Sequence, residues 1–227
     1  MMRPNLLKID YWKNHECRVI AVLVVALQKL TTTQNIPTQE DQLNRVLYFS
    51  ILEAIRELRE QGMLFTTYPM YEANNQPDAD DESRATREGK RPDFQFGYID
   101  HQEPDPRNSS RQYVVECKRL GISGRADWIL NENYCYKGIM RYCTLEHGYA
   151  KGESAGAMIG FLQNMVASHI LAEVNSVLQT NGIPSIVLLE EGWKIQDVNR
   201  LTQQFDREIP QSPFILKHLW VDLTNTS

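Results

Sequence analysis

Two short apolar runs separated by a polar connector constrain the fold of this chain more than any other feature. Residues 93–99 and 113–117 have the length and the aromatic and β-branched content of strands, and residues 100–112 between them are rich in Pro, Asp, Asn and Ser. We therefore predict two β-strands joined by a polar loop.

Charged residues lie at the ends of both predicted strands. Asp93 begins the first strand, and Glu116 and Lys118 lie two residues apart at the end of the second. Because side chains alternate along a strand, Glu116 and Lys118 point to one face and Cys117 points to the opposite, packed face. If the strands pair, two carboxylates and one ammonium converge. Carboxylates bind Mg²⁺, which acidifies water, and a nearby Lys can stabilise charge on a phosphate, so the pattern predicts phosphodiester hydrolysis.

Pro92-Asp93 followed by Glu116-Cys117-Lys118 resembles the signature of the PD-(D/E)XK nuclease superfamily. The resemblance implies an α/β fold with a restriction-endonuclease-like core, in which helices flank a central mixed β-sheet. It also implies that Asp93, Glu116 and Lys118 are catalytic, that Asp93 and Glu116 bind the metal, and that Cys117 offers a backbone carbonyl. Mg²⁺ would be the cofactor, with Mn²⁺ as a substitute.

A helix is predicted over residues 38–61, ahead of these strands. Thr38 has the properties of an N-cap, with Asp41 at the capping-box distance. In the superfamily that the motif resembles, a helix before the motif strands often contributes a further acidic metal ligand. Glu40, Asp41 and Glu53 are candidates, and Glu40 is favoured because the start of a helix can overhang the strand ends. The alternative is that all three are surface charges that stabilise the helix.

Two stretches could bind a nucleic acid backbone. Residues 72–91 carry an acidic run and then a basic run, which predicts a mobile charged loop. Residues 131–147 predict a helix whose basic residues lie beside tyrosines, an arrangement that suits phosphates and stacked bases as well as it suits an ordinary helix surface. The candidates for phosphate contact are Arg84, Arg87, Lys90, Arg91, Lys137 and Arg141.

Length and composition indicate a single domain over residues 1–227, with an N-terminal helical part at 1–62, and the resemblance implies that this domain is nuclease-like. The formal net charge of −5 argues against a chain that coats nucleic acid indiscriminately. Four cysteines without a CxxC pair predict reduced thiols and a cytoplasmic location. The N-terminus lacks the build of a signal peptide, and the apolar run at 19–30 is too short to span a bilayer, so no membrane association is expected.

The rest of the chain predicts alternating strands and helices. A mixed sheet flanked by helices accounts for this order. Strands are predicted at residues 64–71, 157–162, 185–189 and 214–223, and helices at 11–30, 165–178 and 195–207.

The expected function is metal-dependent endonucleolytic cleavage, with DNA as the favoured substrate. The resemblance places such a protein in a prokaryotic restriction or defence system. With one small domain, sequence specificity would come from a homodimer or from a partner protein subunit. One alternative is a non-catalytic subunit that binds nucleic acid or protein, and another is an interaction domain that docks a partner through residues 72–91.

Overall fold

A mixed β-sheet of seven strands organises the part of the chain that the structure describes. The computed structural model describes residues 11–76, 87–123, 129–209 and 211–224. The strand order is β1-β2-β3-β4-β7-β6-β5. The pairs β3–β4 and β4–β7 are parallel, and the other neighbours are antiparallel. The strands are β1 (Pro69–Tyr71), β2 (Phe94–Ile99), β3 (Ser110–Leu120), β4 (Ala155–Leu162), β5 (Val187–Leu188), β6 (Val198–Phe205) and β7 (Phe214–Asp222).

Helices cover both faces of this sheet, which confirms the α/β architecture. The helices α1 and α2 pack on one face, and the helical segment 130–143 packs with α5 on the other. No helix within the described residues is long and apolar enough to cross a membrane. The helices are α1 (Tyr11–Thr31), α2 (Glu40–Glu60), α3 (Leu130–Tyr134), a π-helical turn (Cys135–Ile139), α4 (Met140–Cys143) and α5 (Ala167–Thr180), with a 3₁₀ turn at Pro106–Asn108.

The strand β3, third in the order of the sheet, is buried on both faces. Every residue from Tyr113 to Lys118 is buried. Val115 and Cys117 join the apolar core beneath α1 and α2, whereas Val114 joins the core beneath the helical segment 130–143. The predicted alternation is therefore confirmed. A strand buried on both sides is normally continuously apolar, and in β3 Glu116 interrupts that pattern.

The helix α2 begins two residues later than Thr38. Its N-cap is Gln39, which makes no side-chain capping bond, so the predicted Thr38 cap is wrong. Thr38 instead offers its carbonyl oxygen to Arg119 Nη1 at 3.3 Å and to Gln163 Nε2 at 2.7 Å. The start of α2 is thereby held against the ends of β3 and β4.

The helix predicted over residues 195–207 is also wrong, because this stretch contains β6. The buried face of β6 alternates amides with apolar side chains. Asn199 is bonded to the backbone of Lys194, and Gln203 donates to the Pro184 carbonyl. The apolar residues alone then recur at helical spacing. The helix predicted over 131–147 ends at Cys143 and contains the π-helical turn.

Candidate active site

Asp93 lies at the point where β2 stops pairing with β3. Phe94 is paired with Val115, so Asp93 stands opposite Glu116. The backbone N–H of Cys117 has no strand residue beyond Phe94 to bond, and it donates to Asp93 Oδ2 at 2.6 Å instead. The other oxygen, Oδ1, accepts a hydrogen bond of 3.0 Å from the amide of Asn44 in α2. The carboxylate of Asp93 is thus fixed from two elements.

Lys118 lies among three carboxylates. Its Nζ is 2.8 Å from Glu116 Oε1, 2.8 Å from Glu40 Oε1 and 4.0 Å from Asp93 Oδ2. It also donates to the carbonyl oxygen of Cys117 at 2.7 Å. Its side chain is only 10% exposed. The sheet register and the start of α2 therefore bring Asp93, Glu116, Lys118 and Glu40 together.

Glu40 reaches this cluster from the first turn of α2. While Oε1 contacts Lys118, Oε2 accepts the backbone N–H of Arg119 at 3.2 Å. Glu40 is therefore the acidic residue of α2 that joins the site. Glu53 lies on the exposed face of the same helix.

Glu116 has a second cationic partner, Arg141 of α4. Arg141 Nη1 lies 2.5 Å from Glu116 Oε1, the oxygen that also contacts Lys118. Arg141 Nη1 is also 3.4 Å from the hydroxyl of Tyr149. Glu116 is 1% exposed, so it needs such partners, because an ionised buried carboxylate is costly without them.

Burial and mutual repulsion change the proton affinities in the cluster. Burial, followed by the nearby charge of Glu116, raises the pKa of Asp93 well above its usual range. Burial also raises the pKa of Glu116, against the opposing effect of Lys118 and Arg141. Burial alone would lower the pKa of Lys118, but Glu116, Asp93 and Glu40 outweigh it and raise that pKa. Lys118 is therefore a protonated ammonium at neutral pH.

Cys117 takes part in the cluster through its backbone alone. Its thiol belongs to the apolar core on the opposite face of β3, and burial raises the thiol pKa well above its usual range. A neutral buried thiol is a poor nucleophile and a poor metal ligand. The carbonyl oxygen, which points to Lys118, is the group that can serve a cation.

The oxygens of this cluster suit a hard divalent cation, although they are not arranged around one. No three His, Cys, Asp or Glu side chains among the described residues are grouped to hold a metal ion, since the Lys118 ammonium lies between the carboxylates. Glu116 Oε2, however, is buried and has no hydrogen-bond partner in the described part of the chain. Leaving a buried acceptor unpaired costs roughly 1–3 kcal/mol. Carboxylate and carbonyl oxygens of Asp93, Glu116 and Cys117 are the ligand types that Mg²⁺ prefers.

The basic residues that were predicted to contact phosphates differ from one another in their partners and exposure. Lys90 pairs with Glu146 at 2.9 Å, Arg91 Nε donates to Asn74 at 2.9 Å, and Arg87 Nη1 donates to the Leu145 carbonyl at 3.2 Å. These three residues join residues 87–91 to neighbouring loops. Lys137 is exposed, and Arg84 lies outside the described residues.

Asn44 and the inward position of Arg141 are the parts of the site that the sequence did not predict. Asn44 is 1% exposed and stands four residues after Glu40, on the same helical face. A polar residue at that spacing from a favoured metal ligand is the signal that could have identified it. The predicted helix placed Arg141 among the basic residues near the site, but the sequence did not indicate that Arg141 pairs with Glu116.

The motif resemblance has no support from known relatives. No protein-family model, curated protein or solved structure matches the chain.

Proposed function

We propose that this chain is a metal-dependent endonuclease with a restriction-endonuclease-like core, and that it hydrolyses phosphodiester bonds of DNA. One observation carries the proposal: three carboxylates from α2, the start of β2 and β3 lie within 4.0 Å of one buried ammonium. Bringing four ionisable side chains together, with Glu116 and Lys118 buried and Asp93 and Glu40 half-buried, is expensive for folding alone. Such a cluster is what a phosphate-cleaving site requires.

The residues that would hold the cation are Asp93 and Glu116, with the carbonyl of Cys117 and then Glu40 as further donors. A bound Mg²⁺ or Mn²⁺ would supply Lewis acidity toward the phosphate and toward the attacking water. Glu116 could use Oε2 for this, an oxygen that has no partner among the described residues.

Lys118 would stabilise negative charge rather than remove a proton. Its pKa is raised by the surrounding carboxylates, so it stays charged and cannot act as a general base at neutral pH. Its three N–H groups face Glu40, Glu116 and the Cys117 carbonyl. If Glu40 released Lys118, one N–H of the ammonium would become available to orient water or to donate to a phosphate oxygen.

The deciding experiment compares Lys118→Met with wild type and with Lys217→Met. Lys217 is a half-buried lysine on β7, so Lys217→Met makes the same chemical change elsewhere in the sheet. Supercoiled plasmid, single-stranded DNA and RNA are each incubated with Mg²⁺, with Mn²⁺ and with chelator, after circular dichroism has verified folding. We expect metal-dependent cutting of DNA by wild type and Lys217→Met, and at least a hundredfold loss in Lys118→Met.

Two results would contradict the proposal. Equal cutting by Lys118→Met would remove Lys118 from the catalytic residues. An absence of cutting by wild type on every substrate would favour a non-catalytic subunit, and nucleic acid or protein that co-purifies with the chain would then identify its partner.

A further inference from the structure

The two carboxylate oxygens of Glu116 have different surroundings, because Arg141 contacts only one of them within the described residues. Oε1 contacts both Lys118, at 2.8 Å, and Arg141, at 2.5 Å. Oε2 is buried, with no partner among the described residues. Oε2 is therefore the oxygen of Glu116 that a cation would engage if Arg141 stayed on Oε1.

The formal charges of the cluster indicate that Arg141 affects how tightly the cation binds. In their ionised forms Asp93, Glu116 and Glu40 carry three negative charges, and Lys118 and Arg141 carry two positive ones. The cluster then has one net negative charge. A divalent cation would reverse this to one positive charge in a mostly buried site, where charges interact more strongly than in water. A phosphodiester, with its single negative charge, would restore neutrality.

Arg141 is also placed to contact that phosphodiester. Its side chain is 27% exposed. The hydrogen bonds it makes within the described residues both use Nη1, so Nη2 and Nε remain available as donors there. A guanidinium with two free N–H directions matches the geometry of a phosphate.

We propose that Arg141 couples cation binding to phosphodiester binding, so that the site holds its metal well only when the nucleic acid backbone is present. This inference rests on the proposed function, since it requires the cation and the phosphate to share one site. Without Arg141, the cation alone would neutralise the cluster, and no phosphate would be needed for tight metal binding.

The test measures Mn²⁺ binding by electron paramagnetic resonance, with and without a phosphorothioate DNA duplex, which keeps the backbone charge and resists cleavage. A methylphosphonate duplex of the same sequence supplies the same shape without the charge. For wild type we expect the phosphorothioate duplex to tighten Mn²⁺ binding about tenfold, within the usual range of coupling between two ligands, and the methylphosphonate duplex to have no effect. For Arg141→Gln we expect about tenfold tighter Mn²⁺ binding without DNA and little further gain with it.

Arg200→Gln is the matched control, because it removes the same charge from β6, three strands and about 14 Å from β3. We expect it to behave as wild type. Should Arg141→Gln fail to fold, Arg141→Lys is the second variant. It keeps the positive charge but loses the paired N–H donors of the guanidinium. Mn²⁺ binding without DNA should then stay weak, and the tightening of Mn²⁺ binding by the phosphorothioate duplex should be smaller than in wild type.

The outcomes separate this inference from the proposed function. If wild type binds Mn²⁺ and cuts DNA while Arg141→Gln binds Mn²⁺ no more tightly, the coupling is refuted and the nuclease proposal stands. If the expected binding differences appear without any cleavage, the coupling stands and the nuclease proposal falls. Absence of Mn²⁺ binding under all these conditions overturns both.

Discussion

Asn44 of α2 donates a hydrogen bond of 3.0 Å to Asp93, which lies 49 residues further along the chain. Glu40, one helical turn before Asn44, contacts Lys118. One helix therefore contacts both the aspartate before β2 and the lysine at the end of β3. The position of α2 on the sheet consequently decides the geometry of the whole cluster.

Asn44→Ala should weaken both folding and cleavage. The substitution leaves Asp93 Oδ1 without its donor and removes a buried amide, and we expect a loss of about 1–3 kcal/mol in the free energy of unfolding. Urea denaturation measures this loss, and cleavage of plasmid DNA should fall at least tenfold because Asp93 is no longer held in place.

Asn133→Ala is the control for this prediction, because its amide donates to the nearby carbonyl of Ile129, the N-cap of α3. It should leave cleavage unchanged. A variant at Asn44 that unfolds as wild type does and cuts as fast would show that the contact with Asp93 is incidental.

Asp93→Asn should stabilise the metal-free protein near pH 7. The folded pKa of Asp93 lies above its ordinary value of 3.8, so between these two values the folded chain binds a proton that the unfolded chain has lost. Stability from this group is complete below 3.8 and declines as the pH rises through the folded pKa. The substitution removes that decline, so the difference in stability between variant and wild type should widen as the pH rises above about 4.

The new amide also has suitable partners. It can accept from the Cys117 N–H, as Asp93 does, and donate to Asn44, whose Oδ1 has no partner among the described residues. Asp206→Asn, an exposed change, should follow the wild-type pH profile. Parallel profiles for Asp93→Asn and wild type would show that Asp93 does not titrate abnormally.

Arg207→Met should destabilise the fold without touching the carboxylate cluster. The guanidinium of Arg207 lies 3.8 Å from the ring centroid of Phe214 and donates to backbone carbonyls of five residues. A charged donor to a neutral acceptor contributes about 1.5–3 kcal/mol, so we expect a loss of at least about 3 kcal/mol, measured by thermal and urea unfolding. The five acceptors are Tyr142, Tyr149, Ala150, Glu153 and Gln211.

Arg200→Met provides the comparison for this change. Arg200 pairs with Glu190 on the surface, with 53% of its side chain exposed, and such pairs contribute about 0–1 kcal/mol. A loss of stability in Arg207→Met no greater than in Arg200→Met would show that these backbone contacts do not hold the 142–153 stretch in place.

Lys90→Gln combined with Arg91→Gln should weaken DNA binding and spare stability. Lys90 is paired with Glu146, which is 64% exposed, so its loss costs little. If both cations meet phosphates, the dependence of binding on salt should become shallower by about one unit of log K per log salt for each residue. Fluorescence anisotropy at several salt concentrations measures this slope, and an unchanged slope would place the nucleic acid elsewhere.

The sequence predicted those features of the site that depend on local periodicity. Alternation along β3 places Glu116 and Lys118 on one face, and pairing with β2 brings Asp93 opposite Glu116. The start of α2 suggested Glu40. These inferences need only a period of two, a hairpin and a helix start, all of which are visible in neighbouring residues.

The remaining features depend on contacts between distant segments or on buried polar side chains. The parallel pairing of β3 with β4 and of β4 with β7 has no local signature. The strand β6 was not predicted, because the buried amides of Asn199 and Gln203 interrupt its apolar alternation. The contact of Arg141 with Glu116 joins residues 25 apart, and a basic helix residue beside tyrosines is equally consistent with an outward position.

Because Glu40, Asp93 and Lys118 come from three separate stretches, the cluster cannot form until all three have been synthesised. A nascent chain ending before Lys118 has no ammonium between its carboxylates, and one ending before Arg141 has Glu116 without its guanidinium. The parallel neighbour of β3 is made later still, since β4 begins at Ala155. The cluster is therefore complete only once Arg141 has been added to the chain, and β3 gains its parallel neighbour only once β4 has followed.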